Sequence, residues 1–105
     1  MKGLLIKEPW ISYILNKEKT WEIRSSSTKI RGEIYLIRSG SSQIVGKATL
    51  KDSFPLDEEA YIRYKNKHCI RDKSYEELPY KKPHIWVFDN ACWLKEPIPY
   101  KHKVG

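Results

Sequence analysis

The apolar residues of this 105-residue chain fall into short runs, and the longest, such as Ile34–Ile37 and Ile85–Phe88, contain only four residues. A membrane-spanning helix needs about 20 consecutive apolar residues, so the sequence predicts no such helix. Short runs rich in Ile, Val and aromatic residues are typical of buried β-strands. The chain is therefore expected to fold as one small domain, over residues 1–105, built around several short strands.

The clearest local pattern is a pair of neighbouring strands. Residues 32–38 and 43–50 are both rich in β-forming residues, and the Ser39–Ser42 segment between them contains a glycine, which predicts a hairpin. Gly46 inside the second strand predicts a bulge or a close approach of two backbones, as a strongly curved small barrel requires. Further strands are expected at Gly3–Ile6, Lys19–Arg24 and His84–Phe88, with a short one at 91–94.

Two short helices are predicted between the strands. Pro9 is expected to open the first, because proline is tolerated in a first helical turn, and Asn16, which tolerates the left-handed conformation, is expected to end it. Asp57–Glu59 is expected to open the second, with Lys65 and Lys67 near its end, so that the charges at both ends favour the helix dipole. Strands and helices together predict an α+β fold, a small and partly open β-barrel of five to six strands with two short helices.

The chain carries 20 Lys and Arg residues against 13 Asp and Glu residues, which gives a formal net charge of +7. One stretch that also contains Ser25–Thr28 holds a local excess of positive charge, from Lys17, Lys19, Arg24, Lys29 and Arg31. Basic and hydroxyl side chains together suit contacts to phosphate and sugar. The alternative interpretation is an ordinary solvated loop on a basic protein.

The strand that contains Glu22 is expected to have two different faces, because side chains alternate along a strand. Trp21 and Ile23 lie on one face, and the polar residues lie on the other: Thr20, Glu22 and Arg24. A polar row of this kind forms either the wall of a pocket or a solvent-exposed face. On an exposed face, an ion pair between Glu22 and Arg24 would be worth at most about 1 kcal/mol.

Cysteine and histidine are too sparse to indicate a metal site. Cys69 and Cys92 lie far apart and neither belongs to a CxxC motif, so free thiols are expected. His68 precedes Cys69, but adjacent residues on an extended chain point to opposite faces, which argues against a nucleophile pair. No metal and no cofactor are predicted. The N-terminus shows no signal peptide, so a cytoplasmic location is expected, and residues 97–105 are expected to form an extended, basic tail.

The sequence resembles a known family in three segments taken in order. Ile6–Trp10 precedes a short helix, and the string Ile-Leu-Asn-Lys-Glu-Lys-Thr-Trp-Glu-Ile-Arg that ends at Arg24 resembles the signature of ASCH domains, in which a helix leads into a K-T-x-E-x-R strand. Ile44–Leu50 looks like the central strand of that family, and Trp93–Pro99 is similar to the late segment of one branch. The resemblance extends from Ile6 to about Pro99.

This resemblance implies a PUA-like β-barrel with a cleft beside the first helix and the K-T-x-E-x-R strand. Members of the family are regarded as RNA-binding or RNA-processing domains. The expected function is therefore binding of RNA or a modified nucleoside in a basic cleft, with Glu22 pairing to an exocyclic amino group and Arg24 to a phosphate or carbonyl. Stacking on a base is expected from Trp10, Trp21 or Tyr13. The other residues expected to contact RNA or substrate are Pro9, Lys17, Thr20, Ser25, Lys29 and Arg31.

An alternative function is catalysis. One bacterial branch of the family looks like a set of amidohydrolases that remove the acetyl group from N4-acetylcytidine with a lysine, a threonine nucleophile and a glutamate. Lys19 matches the lysine, but Glu22 occupies the threonine position of the K-T-x-T-x-R pattern, and no carboxylate of the second helix matches the glutamate. Thr20 is expected to point away from Lys19 on a strand. The expected catalytic pair is therefore Lys19 and Glu22, with the carboxylate as general base for water and a cation stabilising the oxyanion.

Two further expectations concern partners. Related proteins continue into a final strand, and an unpaired barrel edge in this chain would favour a homodimer. A third interpretation of the function is a non-catalytic protein interaction domain, in which Thr20, Glu22 and Arg24 only connect loops by hydrogen bonds.

Overall fold

A computed structural model describes residues 2–100 of the chain. Its strands and helices, in chain order, are β1 (Gly3–Ile6), α1 (Trp10–Leu15), β2 (Trp21–Arg24), β3 (Gly32–Arg38), β4 (Gln43–Pro55), α2 (Glu58–Arg63), α3 (Lys65–His68) and β5 (His84–Pro99). A short 3-10 turn at Tyr75–Glu77 lies in the connection before β5. The predicted tail belongs to β5 as far as Pro99, and its part from residue 101 onward lies outside the described residues.

The five strands form one mixed sheet in the order β1-β3-β4-β5-β2. β1 runs parallel to β3, and every other neighbouring pair is antiparallel. In the described part of the chain, the edge strands β1 and β2 do not pair with each other, so the sheet is not closed. The α+β class is confirmed, whereas the predicted, partly open β-barrel is not confirmed.

The predicted hairpin is confirmed. β3 and β4 pair along their length, from Gly32 opposite Leu50 to Arg38 opposite Gln43, and the register shifts near Gly46 as expected of a bulge. A Cβ atom at Gly46 would collide with the side chain of Leu15 on α1 and would lie 2.8 Å from the carbonyl oxygen of Cys92. The absence of a side chain therefore allows α1 to pack directly on β4.

Residues 2–100 contain three helices in place of the two that were predicted, because the second predicted helix is interrupted. Asp57 begins α2 by accepting a hydrogen bond from the Ala60 N–H at 2.8 Å, but Tyr64 (φ −109°, ψ 40°) leaves the helical conformation before α3 begins. The ring of Tyr64 packs 5.1 Å from the ring of Trp21 at this break. None of the described helices is long and apolar enough to cross a membrane.

The first helix ends at Leu15, close to the predicted end at Asn16. The left-handed residue that turns the chain, however, is Lys17 (φ 66°) and not Asn16 (φ −83°). The turn therefore includes one residue more than the sequence pattern suggested.

Two strand boundaries also differ from the prediction. The strands expected at 84–88 and 91–94 are parts of one strand, β5, which extends to Pro99. The strand continues through Asn90 although this residue adopts a left-handed conformation (φ 51°). β2 begins at Trp21 and not at Lys19. The N–H groups of Lys19 and Thr20 instead donate to the carbonyls of Tyr13 and Lys67, outside the sheet.

Two apolar clusters hold these elements together. The first packs α1 against β1, β3, β4 and β5, around residues such as Leu36 and Phe88. The second packs β2 and the start of β5 against α2 and the loop after α3, around Trp21 and Ile85. Trp10 contacts both clusters. It therefore lies at the boundary where the two parts of the interior meet.

Candidate functional site

A cavity of about 520 Å³ opens between the two edge strands of the sheet, next to Trp10. Its walls come from the end of β1, the start of α1, β2 and the loop that follows α3. Five of the site residues predicted from the sequence line it: Trp10, Lys19, Glu22, Arg24 and Ser25. The structure therefore brings together both predicted catalytic residues and three of the predicted binding residues.

Lys19 and Glu22 form a buried ion pair in this cavity. Lys19 is 1% exposed and Glu22 is 7% exposed, and Lys19 Nζ lies 3.7 Å from Glu22 Oε1. Lys19 Nζ also donates a hydrogen bond to the carbonyl oxygen of His68 and lies 4.9 Å from the centre of the Trp10 ring. Buried charges need such partners, so the two side chains fix each other's position.

The turn after α1 places the Lys19 side chain in the interior. Beyond the left-handed residue Lys17, the N–H groups of Glu18 and Lys19 both donate to the carbonyl oxygen of Tyr13, at 2.9 and 3.1 Å. The chain therefore folds back across the end of α1 before β2 begins. Glu22 reaches the same cavity from β2, where it pairs with Trp86 of β5.

Burial shifts the titration of both groups. Desolvation lowers the pKa of the Lys19 amino group below its ordinary value of 10.5 and raises the pKa of the Glu22 carboxyl above its ordinary value of 4.5. In each case the charge of the partner opposes the shift. Desolvation and the charge of the partner therefore act in opposite directions on each group, and desolvation is the larger effect in both.

Arg24 connects the site to both edges of the sheet. Its Nη1 lies 3.6 Å from Glu22 Oε2 and donates a hydrogen bond to the carbonyl oxygen of Leu5 on β1 at 3.1 Å. The guanidinium carbon lies 5.4 Å from the centre of the Trp86 ring. The Glu22 carboxylate is thus held between two cations, one at each oxygen.

The loop after β2 is anchored to neighbouring strands. The Trp86 indole N–H donates to the carbonyl oxygen of Ser26 at 2.7 Å, and the Thr28 N–H donates to Ser53 Oγ at 3.2 Å. Arg31 donates to the carbonyl oxygens of Thr28 and Ile30, at 2.8 and 2.7 Å, and lies 3.6 Å from Asp52. The side chain of Arg31 therefore supports its own loop and does not line the cavity.

Four other predicted contact residues also lie outside this cavity. Pro9 and Lys29 are exposed elsewhere. Lys17 and Thr20 line a separate cavity of about 130 Å³ on the other side of Lys19. The prediction that Thr20 shares a face with Glu22 and Arg24 is wrong, because Thr20 precedes the first residue of β2.

Several residues that line the cavity are not indicated by any pattern in the sequence. Lys7 and Lys73 add two exposed cations, and Tyr80 adds a half-buried aromatic ring. Lys73 and Tyr80 belong to a loop that contains no periodic pattern, so no local signal could have found them. They reach the cavity because Ile70 and Leu78 of the same loop are buried in the second apolar cluster.

His68 and Cys69 do not form a nucleophile pair. The Nδ1 atom of His68 accepts a hydrogen bond from the Ile70 N–H at 2.9 Å, and Nε2 lies 2.8 Å from the carbonyl oxygen of Tyr61, to which it donates. The Cys69 thiol lies 3.3 Å from the carbonyl oxygen of Glu18. Residues 2–100 contain no group of three His, Cys, Asp or Glu side chains that could hold a metal ion.

The comparisons with known proteins agree with the resemblance of the sequence. The family model described as "ASCH domain" matches residues 4–98, while no curated protein sequence matches significantly. Among solved structures, an ASCH protein from Zymomonas mobilis is similar, with a TM-score of 0.76 and 16% identity, over 92% of this chain and 71% of that chain. Two single-substitution variants of that protein are also similar. One has a TM-score of 0.74 and 17% identity, over 94% of this chain and 76% of that chain. The other has a TM-score of 0.70 and 16% identity, over 92% of this chain and 72% of that chain. At this identity the structures show a shared fold, and the family match over most of the sequence shows that the chain belongs to the ASCH domain family.

Proposed function

We propose that the cavity binds one nucleotide of an RNA, or a modified nucleoside. The observation that carries this proposal is the buried Glu22 carboxylate, held between Lys19 at 3.7 Å and Arg24 at 3.6 Å while it faces an open cavity. A carboxylate fixed by two cations is a rigid hydrogen-bond acceptor for the exocyclic amino group of a base. Such a fixed acceptor discriminates bases that carry an amino group from those that do not.

The remaining wall suits the other parts of a nucleotide. Lys7 and Lys73 supply positive charge at exposed positions of the lining, where they can attract phosphate. Trp10 and Tyr80 supply half-buried rings against which a base can stack. The volume of about 520 Å³ falls within the range of about 300–1,000 Å³ typical of small-molecule sites. Trp21, by contrast, is buried in the second cluster and is not available for stacking.

Membership of the ASCH domain family supports the same proposal, since the family is regarded as one of RNA-binding and RNA-processing domains. A cytoplasmic location and a homodimer formed through an open sheet edge stay predictions. The edges available for such a dimer are β1 and β2, each four residues long. Light scattering of the purified chain would measure the oligomeric state directly.

The test is binding of cytidine, uridine and short RNA oligomers to the purified protein at low ionic strength, measured by calorimetry. Glu22→Gln is expected to weaken binding of amino-bearing bases by about tenfold or more, because a hydrogen bond to a charged acceptor is lost. Glu33→Gln, at an exposed carboxylate of β3, is the matched control and is expected to change nothing. Absence of binding for all nucleosides and oligomers would refute the proposal.

A second candidate function is hydrolysis of an acylated nucleoside such as N4-acetylcytidine. The observation that favours it is the buried Lys19–Glu22 pair, whose two pKa values are shifted towards each other beside the cavity. Glu22 would take a proton from a water molecule as the water oxygen attacks the acetyl carbonyl, while Lys19 or Arg24 stabilises the oxyanion. When the C–N bond breaks, Glu22 returns the proton to the departing amino group, and acetate and cytidine are released.

Incubation with N4-acetylcytidine and detection of cytidine separates this candidate from simple binding. Lys19→Ala is expected to abolish activity. Activity that survives this change would exclude a catalytic role for Lys19. A threonine nucleophile is not favoured, because Thr20 lines the smaller cavity and not the larger one. If neither binding nor hydrolysis is observed, the third interpretation, a non-catalytic protein interaction domain, gains support.

A further inference from the structure

Trp93 is an exposed tryptophan whose orientation is fixed by polar neighbours. It lies on β5 opposite Gly46 and is 40% exposed. Its indole N–H donates to Asn16 Oδ1 at 2.8 Å, and the guanidinium carbon of Arg38 lies 5.9 Å from the centre of its ring. Because side chains hold this ring at the surface, little conformational entropy is lost when a ligand stacks on it.

Trp93 is connected to the cavity lining through Arg38, the chain neighbour of Ser39. Ser39 and Lys7 line the cavity, and the residues next to them in the chain, Arg38 and Glu8, form an ion pair with 3.0 Å between Arg38 Nε and Glu8 Oε2. Within residues 2–100, the two Nη groups of Arg38 have no hydrogen-bond partner. They are therefore available to a phosphate, which Arg binds well in a bidentate manner.

A cation also lies beside a tryptophan ring at two positions in the candidate site. Lys19 lies 4.9 Å from the Trp10 ring and Arg24 lies 5.4 Å from the Trp86 ring, and both cations line the cavity. Proteins that bind single-stranded nucleic acid combine cations along the backbone with rings on which successive bases stack. A free nucleoside that binds in the cavity does not contact Trp93, which lies outside the lining. A ligand that contacts both the cavity and this ring has to be longer than one nucleotide.

We propose that Trp93 and Arg38 bind a second nucleotide of a single-stranded RNA whose first nucleotide occupies the cavity. The second base stacks on the exposed indole, and Arg38 binds the phosphate that joins the two nucleotides. This inference rests on the proposed function of the cavity and specifies the ligand as a strand longer than one nucleotide. The formal net charge of +7 suits such a polyanion.

The test compares a labelled RNA hexamer with a mononucleotide, by fluorescence anisotropy and calorimetry. Trp93→Ala is expected to weaken hexamer binding about tenfold, as loss of one stacked base predicts, and to leave mononucleotide binding unchanged. Trp93→Phe keeps a ring and is expected to restore most of the affinity. Arg38→Gln is expected to reduce the slope of log affinity against log salt by about 0.7. Ile62→Ala, at an exposed apolar residue of α2, is the control for surface truncation.

Each result either supports this inference or overturns it. Hexamer binding no tighter than mononucleotide binding, or unchanged in Trp93→Ala and Arg38→Gln, overturns it while the cavity keeps its proposed function. Absence of binding for both ligands overturns the proposed function as well. A DNA hexamer that binds as tightly as the RNA overturns the assignment to RNA. Thermal unfolding of Trp93→Ala and Trp93→Phe shows whether each variant is folded. The Phe variant still tests stacking if the Ala variant is unfolded.

Discussion

The amino group of Lys19 has three neighbours, namely the Glu22 carboxylate at 3.7 Å, the His68 carbonyl and the face of the Trp10 ring. Removing one member of a buried ion pair typically costs about 3–5 kcal/mol, because the other charge is left without compensation. Replacing both members by apolar residues of similar volume is often neutral. Single and double substitutions at this pair therefore have different expected effects.

Replacing Lys19 by Met is expected to lower the free energy of unfolding by about 3 kcal/mol, because Glu22 then keeps only Arg24 as a cationic partner. The double variant Lys19→Met with Glu22→Leu is expected to recover most of that loss. Urea denaturation measures both effects. Lys81→Met, at an exposed lysine, is the control and should stay within about 0.5 kcal/mol of the wild type. A single variant as stable as the wild type would contradict the buried pair.

At the scale of elements, α3 matters because its last residue, His68, contacts the buried amino group of Lys19. The carbonyl of His68 accepts from Lys19, and the ring of His68 stacks on Tyr61 with 4.3 Å between ring centres. Both ring nitrogens are used by main-chain groups of Tyr61 and Ile70. This arrangement requires a neutral ring, because Nδ1 must accept a hydrogen bond.

The stability of the fold is therefore expected to depend on pH through His68. Burial, and then the nearby charges of Lys19, Lys65 and Arg71, lower its pKa below the ordinary value of 6.5, although the bond to the Tyr61 carbonyl opposes this. Below pH 6.5 the unfolded chain binds more protons at this residue than the folded chain, so stability falls as pH falls through that window. His68→Gln, which cannot titrate, is expected to flatten this dependence. Urea unfolding from about pH 8 to about pH 5 compares the two proteins, and parallel curves would argue against a neutral buried ring.

At the scale of the whole molecule, the features that the sequence predicted are those encoded by residues close together in the chain. The hairpin and the close approach at Gly46 follow from turn and strand patterns within one segment. Lys19 and Glu22 were predicted as site residues from a single short motif that also carries the family resemblance. Their ion pair was not predicted, because it depends on the turn that places Lys19 before the start of β2. Asp57 was predicted at the start of α2 from its acidic first turn.

The rest of the site depends on packing between distant segments and could not be predicted from local patterns. Lys73 and Tyr80 enter the cavity because their loop is held by buried apolar residues, and nothing in their own sequence context indicates this. Alternation along a strand predicts Thr20 on the same face as Glu22, but β2 begins only at Trp21 and the Thr20 N–H donates to the Lys67 carbonyl outside the sheet. Tyr64, where α2 is interrupted, packs against Trp21, which is distant in the chain, so no local pattern indicates this contact.

One side chain spans the opening of the sheet, and this gives a prediction for the molecule as a whole. Arg24 on β2 donates to the carbonyl oxygen of Leu5 on β1 at 3.1 Å, so it connects two strands that have no main-chain pairing between them in the described residues. Arg24→Met is expected to speed amide hydrogen exchange in β1. It is also expected to lower the free energy of unfolding by about 1–2 kcal/mol. This loss is smaller than the loss of a fully buried charged hydrogen bond, because Arg24 is partly exposed.

Mass spectrometry of exchanged peptides measures the first effect and urea denaturation the second. Arg63→Met, which removes an exposed pair with Glu59 on α2, is the matched control and should leave exchange in β1 unchanged. Faster exchange across all strands would indicate general destabilisation. Faster exchange in β1 but not in β4, the central strand of the sheet, would instead show that Arg24 connects the two edge strands across the open side of the sheet. Unchanged exchange in β1 would show that its pairing with β3 and its packing in the first apolar cluster hold this edge without Arg24.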